Sequence, residues 1–175
     1  MAQTLSTELL DVVDANDMVL RAETRGEVHR QGLMHRSVHV LVFDHNGSLL
    51  LQKRSMQKDE CGGMWDSSCA GHVESQQSYD ETAPRELLEE LGFSPVAPLN
   101  PLFKMRPTPE NGLEFATVYQ TIYSGPFSIA NDEIDEIRWY TPDRIDVWVD
   151  QSEPGGVSGQ LTSGFCEIWR RFRTE

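Results

Sequence analysis

Basic residues are scarce: 15 Lys and Arg stand against 28 Asp and Glu, a formal charge of −13 over 175 residues. A field of that sign repels phosphate polymers and anionic lipid, so neither a nucleic-acid polymer nor a membrane is an expected partner. A small anion can still enter beside a bound cation. Cysteines number only three, and Cys61, Cys69 and Cys166 have neither the spacing of a zinc site nor that of a redox pair. Free thiols in a reducing compartment are the expectation. No apolar stretch is long enough to span a bilayer, and "MAQTLSTELLDVVDAND" has no basic region followed by an apolar run. The cytoplasm is therefore the expected location. Pro and Gly are scattered, and repeats and low-complexity tracts are missing, which leaves a single folded domain.

What is present is strand-rich. "ELLDVVDANDMVLRAET" predicts a hairpin turning at Asn16-Asp17, an N-terminal extension over residues 1–34. "HRSVHVLVFDHNGSLLLQKRS" predicts a second, with Val38, Val40 and Val42 alternating, a type I′ turn at Asn46-Gly47, and Leu49 to Leu51 returning. Residues 55–70 read as a loop entering a short strand from Trp65 to Ala70. "PLFKMRPT" and "LEFATVYQTIYSG" read as strands joined by "PENG", and "EIDEIRWYT" as another. Thr141-Pro142 opens a helix through about Trp148; "SEPGGVSG" is a loop, and "GFCEIWRRFR" a closing amphipathic helix.

Between these lies "GHVESQQSYDETAPRELLEELGF", residues 71–93. Ser78 and Glu81 form a capping box, Leu87, Leu88 and Leu91 supply a buried stripe, and Gly92 ends the helix. Pro84 either bends the first turn or moves the start of the regular helix towards Thr82. Spacings of three and four put Glu86, Glu89 and Glu90 on one side, opposite the leucines. Like charges so placed repel, unless a cation lies among them.

The order Gly71, five residues, position 77, seven residues, then "RELLEELGF" resembles the Nudix box, G-x5-E-x7-R-E-U-x-E-E-x-G-U with U apolar, and departs from it only at Gln77. The resemblance implies an α/β Nudix fold over 35–175, a mixed β-sheet sandwiched between α-helices and ended by the C-terminal helix. It also implies Mg²⁺ (or Mn²⁺) held by Glu86, Glu89 and Glu90, with the Gly71 carbonyl as a further oxygen, against the phosphates of a small-molecule diphosphate substrate. Arg85 becomes the residue that orients the acids. Glu86, together with Glu90, is assigned to the chemistry, Glu86 being the first candidate for general base; Glu114 and Glu133 are later ones. Family habit allows a homodimer.

"HR" at 35–36, "LLLQKRS", "WDSSCAGHV" and "NDEIDEIRWYTPDRI" are further similar to the branch related to type I isopentenyl diphosphate isomerase. That comparison implies Arg54 and Lys58 as diphosphate grips, and His35 and His72 as counterparts of metal-binding histidines; His72 also belongs with the substrate-binding residues. The isomerase places a cysteine directly before its Gly-His pair. Here Ala70 stands there, and Cys69, one residue earlier, is turned to the other face by strand alternation. The expected activity is thus hydrolysis of a phosphoanhydride, with an isomerase or a catalytically weak binding module, given Gln77, as alternatives. His29, His39 and His45 carry no signal beyond exposure or packing. Lys104 and Arg106 either reach a phosphate or offset acidic surface. Trp65, Trp139 and Trp148 are expected in the core or the site wall.

Overall fold

The computed structural model describes residues 7–152 and 160–175. Strands β1 (Leu9–Val13) and β2 (Val19–Thr24) form the N-terminal hairpin, and a short helix α1 (Arg25–Gln31), which the sequence patterns do not announce, follows at once. Strands β3 (His35–Phe43), β4 (Leu49–Arg54), β5 (Trp65–Asp66), β6 (Cys69–His72), β7 (Pro101–Met105), β8 (Glu114–Ile122) and β9 (Ile134–Tyr140) make one seven-stranded sheet. β3 runs parallel to β8 and antiparallel to β6, so the sheet is mixed. Helices α2 (Tyr79–Leu91), α3 (Pro142–Asp150) and α4 (Ser163–Phe172) cover it.

β3 is the central ruler. Val38, Val40 and Val42 point into a core shared with Ala83, Leu87 and Leu91 of α2. The alternate residue Leu41 points into a second core with Ile145 and Val149 of α3 and Phe165, Ile168 and Trp169 of α4. His35, Ser37 and His39 share the phase of Leu41, so a polar strip continues one core outward along the same strand.

β3 and β4 pair only at Phe43 and Leu49, then diverge; β6 fills the gap beside β3, while β4 turns to β5 and β9. The single strand expected from Trp65 to Ala70 is thereby broken at Ser67-Ser68. There the Ser68 hydroxyl bridges the divergence, donating to the Leu50 carbonyl at 2.5 Å and accepting from the Val42 amide at 2.8 Å.

The turn at Asn46-Gly47 is not type I′, which would need positive φ at both residues; of the two, only Gly47 has it, at 81°. Asp44 organises the loop, its Oδ1 accepting from the amides of Asn46 and Ser48 at 2.8 Å. Asp14 repeats the pattern with Asn16 and Met18 at 2.8 and 3.0 Å.

Helix α2 begins at Tyr79 with the capping box intact, so the later start near Thr82 is corrected; Pro84 lies inside the helix. Leu88 is exposed, whereas Glu86 and Glu90 are buried beside Ala83, Leu87 and Leu91. The glutamates therefore flank the apolar stripe on its sheet-facing arc rather than opposing it. The final turn of α3 extends past Trp148 to Asp150, and most of "SEPGGVSG" lies outside the described residues. Trp65 is in the core, with Trp139 and Trp148 packed on the two cores.

Candidate active site

A cavity of about 590 Å³ opens where β6 and α2 meet the ends of β3 and β8 and the start of α4. Gly71, His72, Arg85, Glu86, Glu89, Glu90, Arg54, Lys58, Glu114 and Glu133 all line it. Residues spread over eighty positions are brought together because β6, carrying Gly71, pairs with β3 and packs against α2, while β4 diverges to β5 and β9.

β6 leaves one edge free, and the glutamates occupy it. Glu90 Oε2 accepts from the Ala70 amide at 3.3 Å and from Gln52 Nε2 at 3.1 Å. Glu86 crosses over Gly71 so closely that a Cβ there would sit 2.1 Å from its Cδ. Arg85 ties the group together: Nη2 lies 2.9 Å from Glu86 Oε1, Nη1 2.8 Å from Glu89 Oε2 and 3.5 Å from Glu74 Oε1. Burial, and then the nearby Glu90 charge, pushes Glu86 up to about 8. Burial likewise raises Glu90 to about 7 against the opposing Ala70 amide. Two buried carboxyls with so high a proton affinity, one braced by an arginine, are a donor set short of positive charge. They fit a hard divalent cation that takes a few carboxylates plus water and phosphate.

The basic residues arrive already paired. Lys58 is bonded to Glu133, and Arg54 Nη1 lies 3.4 Å from the buried Asp66 carboxylate. Glu133 is thus held by Lys58. Lys104 bonds Asp17 at 2.6 Å over the Tyr79 ring, and Arg106 is exposed; neither lines the cavity. Gln77 is turned away: its Oε1 accepts from Thr82 Oγ1 at 3.3 Å, and it lies outside the cavity lining.

A second group gains a member that has no signature in the sequence. His29, on α1, joins His35 and His72, with ring centroids 5.1–5.2 Å apart and one ligand atom from each within 4.8 Å of the others. Glu114 Oε1 lies 3.4 Å from Nε2 of both His35 and His72. Although its burial opposes this, the two imidazoles hold the Glu114 carboxyl well below the usual range. The His35 pKa is raised, Glu114 outweighing the effect of burial. His35 Nδ1 lies 2.9 Å from the Leu33 carbonyl, and Nε2 is buried without a hydrogen bond. A ring fixed by its other nitrogen, with Nε2 turned to a carboxylate and to two further imidazoles, suits metal ligation. The reading of His29 as signal-free is corrected; only a prediction of α1, six residues before His35, could have found it.

Cys69 is fully buried in the α2-side core, and burial drives its thiol well above the ordinary range. Ala70 takes the cavity-facing position.

The NUDIX domain model matches residues 33–156. The Nudix hydrolase YfcD of Escherichia coli K12 is 32% identical over 152 residues, covering 87% of this chain and 84% of its own. Isopentenyl-diphosphate Delta-isomerase 2 of Photorhabdus laumondii is 32% identical over 137 residues, with 75% and 76% covered. Among solved structures, DR0079 from Deinococcus radiodurans superposes with a TM-score of 0.80 at 25% identity, covering 94% of this chain and 98% of its own. The NUDIX domain of Shewanella oneidensis NrtR, solved with ADP ribose, shares the fold at a TM-score of 0.59 and 16% identity, with 87% and 100% covered. With the box residues gathered at one cavity and relatives of both names, the chain belongs to the Nudix family, on its isopentenyl-diphosphate-isomerase-like branch, and is a Nudix hydrolase.

Proposed function

We propose that the protein is a cytoplasmic, divalent-metal-dependent hydrolase that cleaves a phosphoanhydride bond in a small organic diphosphate. The observation that carries this is the pair of buried, proton-hungry carboxyls at Glu86 and Glu90 beside Arg85 and the bare backbone of Gly71. Glu86, Glu89 and Glu90 would hold Mg²⁺ or Mn²⁺. When bound, such an ion neutralises phosphate charge and polarises the phosphoryl oxygens. Arg85 occupies Glu86 Oε1, leaving Oε2 to take the proton of the attacking water. Arg54 and Lys58 edge the cavity, where they can exchange a carboxylate partner for a phosphate oxygen.

His29, His35, His72 and Glu114 support a second metal position, suited to Zn²⁺ by its imidazole ligands. Elemental analysis of purified protein should find such a metal, and less of it in His72→Asn.

The burial of Cys69 supports hydrolysis over isomerisation, since moving a proton at carbon needs an accessible acid or base where Ala70 offers a methyl group. The orientation of Gln77 likewise weakens the binding-module reading. The test is release of phosphate or pyrophosphate from a panel of nucleoside, sugar, cofactor and isoprenoid diphosphates with Mg²⁺ and with Mn²⁺. Hydrolysis that survives Cys69→Ala and falls by orders of magnitude in Glu90→Gln is expected. Binding without release under either ion would overturn the proposal.

A further inference from the structure

The cavity floor extends beyond both candidate metal positions, along β3. Backbone register sets Ser37 between His72 of β6 and Ala116 of β8, and sets His39 beside Ala70. Cross-strand neighbours share a face of the sheet, so two methyl groups, from Ala70 and Ala116, flank two polar side chains. All four residues line the cavity. Ser37 is 3% exposed, and its Oγ has no hydrogen-bond partner. His39 is 8% exposed, and its Nδ1 lies 2.6 Å from Ser67 Oγ. Ser67 is itself placed by Asp66, whose Oδ1 accepts from the Ser67 amide at 2.7 Å. The imidazole is therefore anchored at one nitrogen, with Nε2 left for the cavity.

A buried hydroxyl with no protein partner is uncommon, because its desolvation goes uncompensated. One placed on the floor of a ligand cavity, beside a ring whose other nitrogen is fixed, is a recognition element awaiting its partner. We infer that Ser37 and His39 form a specificity recess for a hydroxyl group on the organic part of the diphosphate, which selects polyhydroxylated substrates over alkyl ones. This rests on the hydrolase reading of the same cavity.

The choice of a hydroxyl follows from chemistry. Whichever tautomer His39 adopts, a hydroxyl can donate to a bare Nε2 or accept from Nε2–H, and it can pair with Ser37 in the complementary sense. An alkyl chain does neither, and it would strip water from both groups without return. Sites built to bond a substrate hydroxyl discriminate strongly against analogues lacking it for that reason. Stacking on Phe, Tyr or Trp is not on offer: among the described residues none of these lines the cavity.

The experiment compares ribose 5-diphosphate with isopentenyl diphosphate, which share the diphosphate and differ in hydroxyl content. Affinity is measured by calorimetry with Mg²⁺, and turnover by phosphate release. The wild type should prefer the ribose compound, and Ser37→Ala should weaken it by about tenfold while leaving the isopentenyl compound unchanged. His39→Gln should also narrow the preference. A merely structural role would instead weaken both probes together, and that result, or equal wild-type affinity for the two, would overturn the inference. Selective binding with no release from either probe or from any member of the diphosphate panel would sink the hydrolase reading and leave the recess standing. Because Ser37→Ala removes an unsatisfied buried hydroxyl, its melting temperature should equal or exceed that of the parent, and a fall would also count against an unpartnered Ser37.

Discussion

Gly71 is the residue on which the acidic cluster turns. The family pattern marks it as a possible oxygen ligand, but the structure gives a steric reason for glycine: the Glu86 carboxylate occupies the space a Cβ would fill. Gly71→Ala should push Glu86 off Arg85 and out of line, and misplacement on that scale costs about 100-fold in rate. Mg²⁺ titration with turnover checks this, and unchanged values would mean that Glu86 moves aside without consequence. The box residues were legible in the sequence because seven fixed spacings on a strand, loop and helix leave little freedom. The burial of Glu86 and Glu90 was not, since helical periodicity treats a carboxylate as solvent-facing and cannot see the free edge of β6. Ser37 and His39 were equally hidden, because an alternating strand pattern records which face a residue takes but not whether that face meets a core or a cavity.

At the scale of elements, the two hairpins share one loop design, Asp-x-Asn followed by a left-handed residue. Gly47 takes that position in one, and Asp17, with φ 63°, takes it in the other. Asp17 accepts the backbone cost there and latches the N-terminal hairpin to the domain. Its Oδ1 accepts from Arg36 Nε at 2.6 Å, and its Oδ2 accepts from Lys104 at 2.6 Å and from Tyr79 at 2.9 Å. Asn tolerates the left-handed region, so Asp17→Asn keeps the turn but loses the charge on two cations. It should lower stability by about 1–3 kcal/mol, measured as a shift in urea midpoint; a shift within error would mean the hairpin is held by its other contacts, such as Asp11 with Ser75 and Gln76. Despite burial, which opposes it, the three donors lower the Asp17 pKa. The latch is therefore complete above about pH 4 and is lost as pH falls through the depressed value. Both hairpins were readable because local turn chemistry sets them. The divergence of β3 from β4 was not, for it depends on β6 arriving from another part of the chain.

Across the whole molecule, an excess of acid meets a site that suppresses acid ionisation, and this predicts how stability follows pH. A carboxyl whose pKa is raised on folding contributes most below its unfolded value, here 4.5, and that contribution is lost as pH rises through the folded value, about 8 for Glu86 and about 7 for Glu90. His35, raised from 6.5, adds a loss of the same sign as pH passes its folded value. His29, lowered chiefly by burial, opposes these only in the range just below 6.5. Glu114, well below 4.5, is ionised throughout and adds no slope. The metal-free protein should therefore lose stability between about pH 5 and 8, by roughly 5 °C in melting temperature for a chain of this size. A bound cation reverses the balance, because it favours the ionised carboxylates and displaces their protons. The rise in melting temperature on adding Mg²⁺ should accordingly be small at pH 5 and grow steadily towards pH 8. Glu86→Gln should flatten the metal-free slope and reduce the Mg²⁺ effect at pH 8 in the same experiment. A Mg²⁺ effect independent of pH, or one that persists undiminished in Glu86→Gln, would place the cation away from the buried carboxyls and break the link between their suppressed ionisation and catalysis.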